Sequence, residues 1–207
     1  ITALSTKPES CHFGLFVLRF CSIHCNFRTL FNFKVIMADA KKVGILLHFN
    51  FEEPEVLYPL YRFQEAGHPT VTIGPVKGTT YNGKHSYPVV ADMSVTDVKA
   101  EDLSALIIPG GWSPDYLRRD PRFVNLVKDV YELGRPVAAI CHGPWMFCSA
   151  RILQGKKATS FVSIKDDLEN AGATYVDAPV VVDGNMITSR IPADLPQFCK
   201  AILAQLS

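Results

Sequence analysis

From residue 41 onward, short unbroken apolar runs alternate with longer segments whose apolar positions recur every three or four residues. "KKVGILLHF" (41–49) is continuous and of strand length, the pattern of a strand buried on both faces. "EEPEVLYPLYRFQEAG" (52–67) predicts a helix. Pro54 suits its first turn, acidic residues crowd the same end and Gly67 suits its stop, while Pro59 inside it predicts a kink. "TVTIGP" reads as a second strand, "TTYNGKHSYPVVAD" as a hairpin around Asn82-Gly83, and "TDVKAED" as a short acidic helix.

"LSALIIPGG" (103–111) is a third core strand ending in a glycine turn. "DPRFVNLVKDVYELG" predicts an amphipathic helix with Phe123, Leu126, Val127, Val130 and Leu133 on one stripe and Gly134 as its stop. "RPVAAICHG" is a fourth strand running into the helix "PWMFCSARILQG". "KATSF", "TYVDAPVVVDGNMITS" and a final helix "ADLPQFCKAILAQL" complete the chain. Strands alternating with helices over about 170 residues imply an α/β sandwich with a parallel core sheet. No repeat or low-complexity linker divides it, so residues 37–207 read as one domain.

The first 36 residues do not fit this pattern. "CHFGLFVLRFCSIHCNFRTLFNFKVI" has neither a helical nor an alternating period, is rich in Phe and holds three of the six cysteines. Arg19 interrupts its apolar run, so neither a signal peptide nor a membrane span of about 20 apolar residues is expected. The chain starts at Ile1, and "MADAKKVGILL" resembles a natural start at Met37. Residues 1–36 are therefore expected to be an extension outside the fold.

Net charge is +1, which gives no electrostatic case for nucleic acid or a membrane surface as a partner. That total hides an asymmetry: residues 1–36 carry four basic residues against one acidic, and the remainder 17 against 19. Cys21, Cys25, His12 and His24 lack zinc-ligand spacing, so neither a metal nor a cofactor is expected. Beyond the extension, Cys141, Cys148 and Cys199 are widely spaced and odd in number. That is no disulfide framework and suits a reducing cytoplasm.

Ligands of open α/β sheets bind outside the carboxyl ends of the strands, where three features fall. Cys141-His142 follows the fourth strand in "AICHGP", a strand–turn–helix elbow of the kind that exposes a nucleophile. There a helix N-terminus favours thiolate, and the N–H of His142 points above the sulfur as an oxyanion donor would. Cysteine is also among the most buried residue types, and Cys148 and Cys199, on helix stripes, read as packing residues. Gly110 and Gly111 follow the third strand; a tight turn explains one of them, and two admit a second backbone donor. Glu52 follows the first strand and could hydrogen-bond the thiol, while Glu53 and Glu55 read as acids favouring a helix N-terminus. His48, His68 and His85 read as surface or structural.

The stretches "FEEPEVLYP", "ALIIPGGWSPDYLRRDPRF", "PVAAICHGPW", "GKKATSF" and "IKDDLENAGATYVDAPVVVDGNMITSRIPADLP" resemble the PfpI family of intracellular proteases and protein deglycases. That family belongs to the class I glutamine-amidotransferase-like superfamily. The resemblance runs through residues 41–206 and implies a flavodoxin-like, three-layer α/β sandwich with a mostly parallel core sheet. It implies Cys141 as nucleophile, Glu52 as the acid that holds it, and His142 paired with Asp115 of a neighbouring subunit, in a dimer or hexamer. It also places Ser189 and Arg190 near the cysteine pocket.

The implied activity is hydrolysis or lysis of carbonyl adducts, as in a protein deglycase or a cofactor-free glyoxalase. Its substrate would be a small carbonyl compound or a glycated protein or peptide. Peptidase action by the same thiol and a redox-sensing or chaperone-like stress role are the alternatives. Glutaminase chemistry would require a downstream histidine, and none follows His142.

Overall fold

A computed structural model describes residues 41–206. The extension expected over residues 1–36, and Met37, lie outside the described residues. Among the described residues the strands are β1 (Lys42–Leu46), β2 (Thr70–Gly74), β3 (Thr80–Asn82), β4 (Pro88–Val90), β5 (Met93–Ser94), β6 (Leu103–Ile108), β7 (Val137–Ile140), β8 (Lys157–Ala158), β9 (Thr174–Tyr175), β10 (Val180–Asp183) and β11 (Met186–Ser189). The helices are α1 (Glu53–Glu65), α2 (Ser113–Leu117), α3 (Pro121–Glu132), α4 (Trp145–Ala150), α5 (Lys165–Asn170) and α6 (Leu195–Leu206).

Seven of these strands form one sheet in the order β10-β11-β7-β6-β1-β2-β5, parallel throughout except for antiparallel β10 at the edge. Alternate side chains of the central strands feed two cores. Val43 and Ile45 of β1, Ala105 and Ile107 of β6, and Ala138 and Ile140 of β7 pack against α1 and α6 through Val56, Phe63, Phe198 and Ile202. Leu46, Leu106, Ile108, Val137 and Ala139 face the other way, onto Phe123, Leu126, Val127 and Val130 of α3 and Met146 and Phe147 of α4. Burial on both faces is why these strands are unbroken apolar runs. The chain is a three-layer α/β sandwich of the flavodoxin-like kind.

Some elements depart from the sequence reading. α1 continues through Pro59, itself buried, to Glu65. Leu133 is about half exposed at the end of α3, because the helix stops at Glu132 and turns the side chain out. "TDVKAED" forms two 3₁₀ turns, Val95–Asp97 and Ala100–Asp102, in place of an α-helix. α4 ends at Ala150, where Arg151 takes a left-handed conformation, and α5 forms where the sequence carries no clear apolar period. β3 and β4 do pair as an antiparallel hairpin, with Tyr81 opposite Val89.

The strand order reverses direction at β1. The chain leaves β1 for the α1 face and leaves β6 for the α3 face, which opens a crevice above their carboxyl ends. β7 ends beside β6, so all three candidate features reach one rim.

Candidate active site

The elbow at Cys141 is built by backbone constraints. β7 stops at Ile140, and Cys141 has φ +60°, a left-handed conformation rare for a residue with a Cβ. Such strain, of about 1–3 kcal/mol, survives only where surroundings over-determine it. Here the Cys141 N–H donates to the Ser189 carbonyl at 3.1 Å, and its carbonyl accepts the Phe161 N–H at 2.9 Å. Gly143 closes the turn onto Ile140 at 2.8 Å, and a Cβ there would stand 2.5 Å from the Ile108 carbonyl. Glycine is required by that contact.

The N–H groups of Gly111 and His142 both point at the Cys141 sulfur. Gly111 holds its donor in place with φ +68° and an antiparallel bridge to Phe51. A Cβ at Gly110 would meet Cys141 Cβ at 2.7 Å, Glu55 Oε2 at 2.8 Å and the His142 nitrogen at 2.9 Å. Gly110 is thus fixed by close approach beside Cys141, and Gly111 by its approach to the Asn50–Glu52 backbone, where a Cβ would strike the Asn50 carbonyl.

The acid beside the thiol is Glu55, and the expectation that Glu52 occupies this place is corrected. Glu55 is fully buried; its Oε2 accepts the Gly110 N–H at 2.7 Å, and its carboxyl interacts with the Cys141 thiol. Oε1 is buried without a hydrogen-bond partner, which suits a carboxyl that carries a proton. Burial pushes Glu55 up to about 8, with the nearby Glu52 charge adding to the rise. Glu52 stands at the N-cap position of α1 without a side-chain cap bond and lines the same cleft, with Oε2 paired to Lys84 Nζ at 3.4 Å. The sequence did carry a signal: Glu55, Pro59 and Phe63 recur every four residues, one buried stripe of α1. Reading Glu55 only as a helix N-terminal acid missed it.

Burial, and after it the Glu55 charge, push the Cys141 thiol up to about 12, while the Gly111 and His142 N–H groups pull it down. Desolvation thus works against the thiolate that the helix N-terminus was expected to favour. α4 is only six residues long, and desolvation outweighs its end.

His142 places Nδ1 3.2 Å from the sulfur, and its Nε2 is 3.2 Å from Ser163 Oγ. Phe161 stacks on the ring at 5.2 Å, and Trp145 meets it edge-on at 5.1 Å. Burial, then Lys84, lower its basicity, so the imidazole is neutral at pH 7. Ser163 is the contact that sequence reasoning did not name.

Asp115 lies on α2, ion-paired with Arg119; among the described residues no hydrogen bond joins it to His142. Ser189 is buried, and its Oγ donates to the Pro179 carbonyl at 2.7 Å, so it buttresses the elbow from behind. Arg190 turns away to Asp194 (3.0 Å) and Asp177 (2.7 Å), leaving Ile191 and Pro192 as the cleft wall. Cys199 is buried and Cys148 half-buried, its thiol 3.7 Å from the Asp167 carbonyl. Both follow the packing expectation.

The cleft over the sulfur holds about 270 Å³ and is walled by Trp112, Phe161 and Ile191, with Glu52 and Lys84 at its polar end. Beyond Phe161 and Ile191 it adjoins a wider groove of about 580 Å³. Glu52, Glu53 and His85 bring ligand-type atoms within 4.8 Å of one another. Lys84 and the two contacts from His85 to Glu53 satisfy that cluster without an ion. Among the described residues, no helix is long and apolar enough to cross a membrane.

Residues 41–205 match the DJ-1/PfpI family. A deglycase of Pyrococcus horikoshii is 45% identical over 154 residues, covering 74% of this chain and 92% of that protein. Protein/nucleic acid deglycase 2 of Escherichia coli is 43% identical over 169 residues, 81% of this chain and 98% of that protein. A crystal structure from Anabaena variabilis, of a protein joining a DJ-1/ThiJ/PfpI-like to a ferritin-like domain, superposes with TM-score 0.79 at 42% identity. It covers 80% of this chain and 48% of that one. With the match running through every element from β1 to α6, the chain belongs to the DJ-1/PfpI family.

Proposed function

We propose that the protein is a cysteine-dependent hydrolase or lyase of carbonyl adducts, of the deglycase or cofactor-free glyoxalase type. The observation that carries this reading is the Cys141 sulfur, faced by two backbone N–H donors and a buried carboxyl at the floor of a small cleft. The deglycase names of relatives 45% and 43% identical to this chain support it.

In this scheme the thiol passes its proton to Nδ1 of His142 as the sulfur bonds to the aldehyde-level carbon of a methylglyoxal adduct. With free methylglyoxal a hemithioacetal forms. With an aminocarbinol, the C–N bond breaks and the amine leaves with the proton. The hydroxyl-bearing carbon then loses its hydrogen as a proton, and the neighbouring carbonyl carbon gains one. The result is a thioester, which water hydrolyses to lactate and free thiol. No external oxidant or reductant enters. Developing oxyanions face the Gly111 and His142 N–H groups, and Glu55, protonated at neutral pH, donates to the sulfur when it leaves as thiolate.

A cleft of about 270 Å³ favours a small adduct over a peptide backbone, and the adjoining groove gives space for the carrier of a glycated side chain. Self-association is part of the reading. Asp115 of a second copy would supply an acid to His142, meeting a ring whose outer nitrogen already bonds Ser163. Activity that falls on dilution in parallel with dissociation supports that role for Asp115, and a fully active monomer refutes it. The reading as a whole is tested by rates on methylglyoxal, a glycated peptide and casein: turnover of the first two and not of casein supports it, and casein cleavage alone overturns it.

A further inference from the structure

His142 is confined on its faces and addressed at both nitrogens. Phe161 and Trp145 fix the plane of the ring, with Trp112 further out at 6.2 Å. Flat neighbours do not choose between an imidazole and its flipped form, which would put a carbon where Nδ1 faces the sulfur. A hydrogen bond at the outer nitrogen makes that choice.

Among the described residues, the partner at that nitrogen is the Ser163 hydroxyl. Ser163 sits in the 3₁₀ turn Val162–Ile164, between a stacked aromatic and the start of α5. The turn is tied to the nucleophile's own peptide: Phe161 N–H donates to the Cys141 carbonyl at 2.9 Å, and Ile164 N–H to the Phe161 carbonyl at 3.1 Å. Ile164 is buried in the core, and Trp145 Nε1 bonds Asp167 of α5 at 2.9 Å. Any movement of the turn therefore moves with the elbow.

We propose that Ser163 is a positioning residue for the Cys141 site, its hydroxyl holding Nε2 of His142 so that Nδ1 addresses the sulfur. The proposal rests on the reading of Cys141 as nucleophile. A hydroxyl in this place differs in kind from a carboxylate. It accepts from Nε2–H while Nδ1 faces the thiol, and it keeps that bond when Nδ1 takes the thiol's proton and the ring carries a hydrogen on each nitrogen. A carboxylate only accepts, which would lock one tautomer and favour imidazolium. The resting ring is neutral, in keeping with its depressed basicity. The charged groups around the ring are Lys84 and Glu52 across the cleft, Arg118 and Asp167 beyond Trp145, and Lys165 after the turn.

The test compares Ser163→Ala, Ser163→Thr and Ser163→Asp with Cys141→Ser on methylglyoxal across pH, with the His142 ring titrated by NMR. Ser163→Ala should lower kcat about threefold to tenfold at unchanged KM, the worth of one neutral hydrogen bond. Ser163→Thr should recover to within about twofold of wild type. Ser163→Asp should move the His142 titration upward by about one unit, which a merely structural serine would not do. Wild-type kcat in Ser163→Ala, or no recovery in Ser163→Thr together with an unmoved titration in Ser163→Asp, overturns the proposal. Cys141→Ser separates the two levels: if it stays active the nucleophile reading fails, and if it is inactive while Ser163→Ala is normal, only the Ser163 assignment fails.

Discussion

Glu55 and Gly110 meet at 2.7 Å, the buried carboxyl of one accepting the backbone N–H of the other. That contact joins the first turn of α1 to the glycine turn after β6 and sets the carboxyl beside the Cys141 thiol. It decides which of three neighbouring acids serves the sulfur, and with it the pH behaviour of the site.

Glu55 should cost stability in a defined pH window. Its folded-state pKa is raised to about 8, whereas in the unfolded chain it ionises near the ordinary 4.5. Between those values the unfolded chain releases a proton that the folded one keeps, so stability present below about pH 4.5 is lost as pH rises toward 8. Glu55→Gln removes the penalty. Its Tm should exceed wild type at pH 8, by the equivalent of a few kcal/mol at most, and the advantage should vanish at pH 4. Thermal melts at the two pH values measure it, and equal shifts at both would count against a buried, protonated carboxyl.

The same ionisation should mark catalysis. Above about pH 8 a charged Glu55 faces the sulfur and disfavours thiolate, so kcat/KM should decline on that limb. Glu55→Gln, which keeps a donor but cannot ionise, should lose that decline. Glu52→Gln should keep it, because Glu52 is paired with Lys84. pH–rate profiles of the three proteins decide between the two acids.

Gly110→Ala should damage the site more than the fold. The added methyl would stand 2.7 Å from Cys141 Cβ and 2.8 Å from Glu55 Oε2, so one of them must move. Overpacking of this kind costs about 1–3 kcal/mol. Activity should fall at least about tenfold while the circular dichroism spectrum is preserved.

Arg190→Ala should act on stability. Its guanidinium holds Asp177 and the largely buried Asp194, which would be left without its cation. Solvent reaches the guanidinium and screens the pair, so the loss should be modest, a fall in Tm of about 2–4 °C for a chain of this size. Cys141 chemistry should change little, since Arg190 faces the neighbouring groove. Thermal melts and methylglyoxal rates on the one variant check both halves.

The fold was legible because burial on both sheet faces writes itself as unbroken apolar runs, as in β1, β6 and β7. The elbow at Cys141 was legible because "AICHGP" needs a sharp turn after a strand. α5 was not, since only Leu168 of its six residues is buried and no period shows. Glu55 was missed because an acid in a first helical turn has an ordinary explanation, and only its place on the Pro59–Phe63 stripe marks it as buried. Ser163 left no trace: its contact with His142 spans 21 residues and depends on where the turn after β8 lands.

Every role proposed for the site depends on Cys141 alone carrying the chemistry. Lactate formation from methylglyoxal by Cys141→Ser and Cys148→Ser tests this most directly. Cys148 is the control, a half-buried thiol on a helix that is raised to about 11 by burial. The expected result is a loss of at least about 10³-fold for Cys141→Ser and a rate within about twofold of wild type for Cys148→Ser. Retention of activity in Cys141→Ser would contradict it.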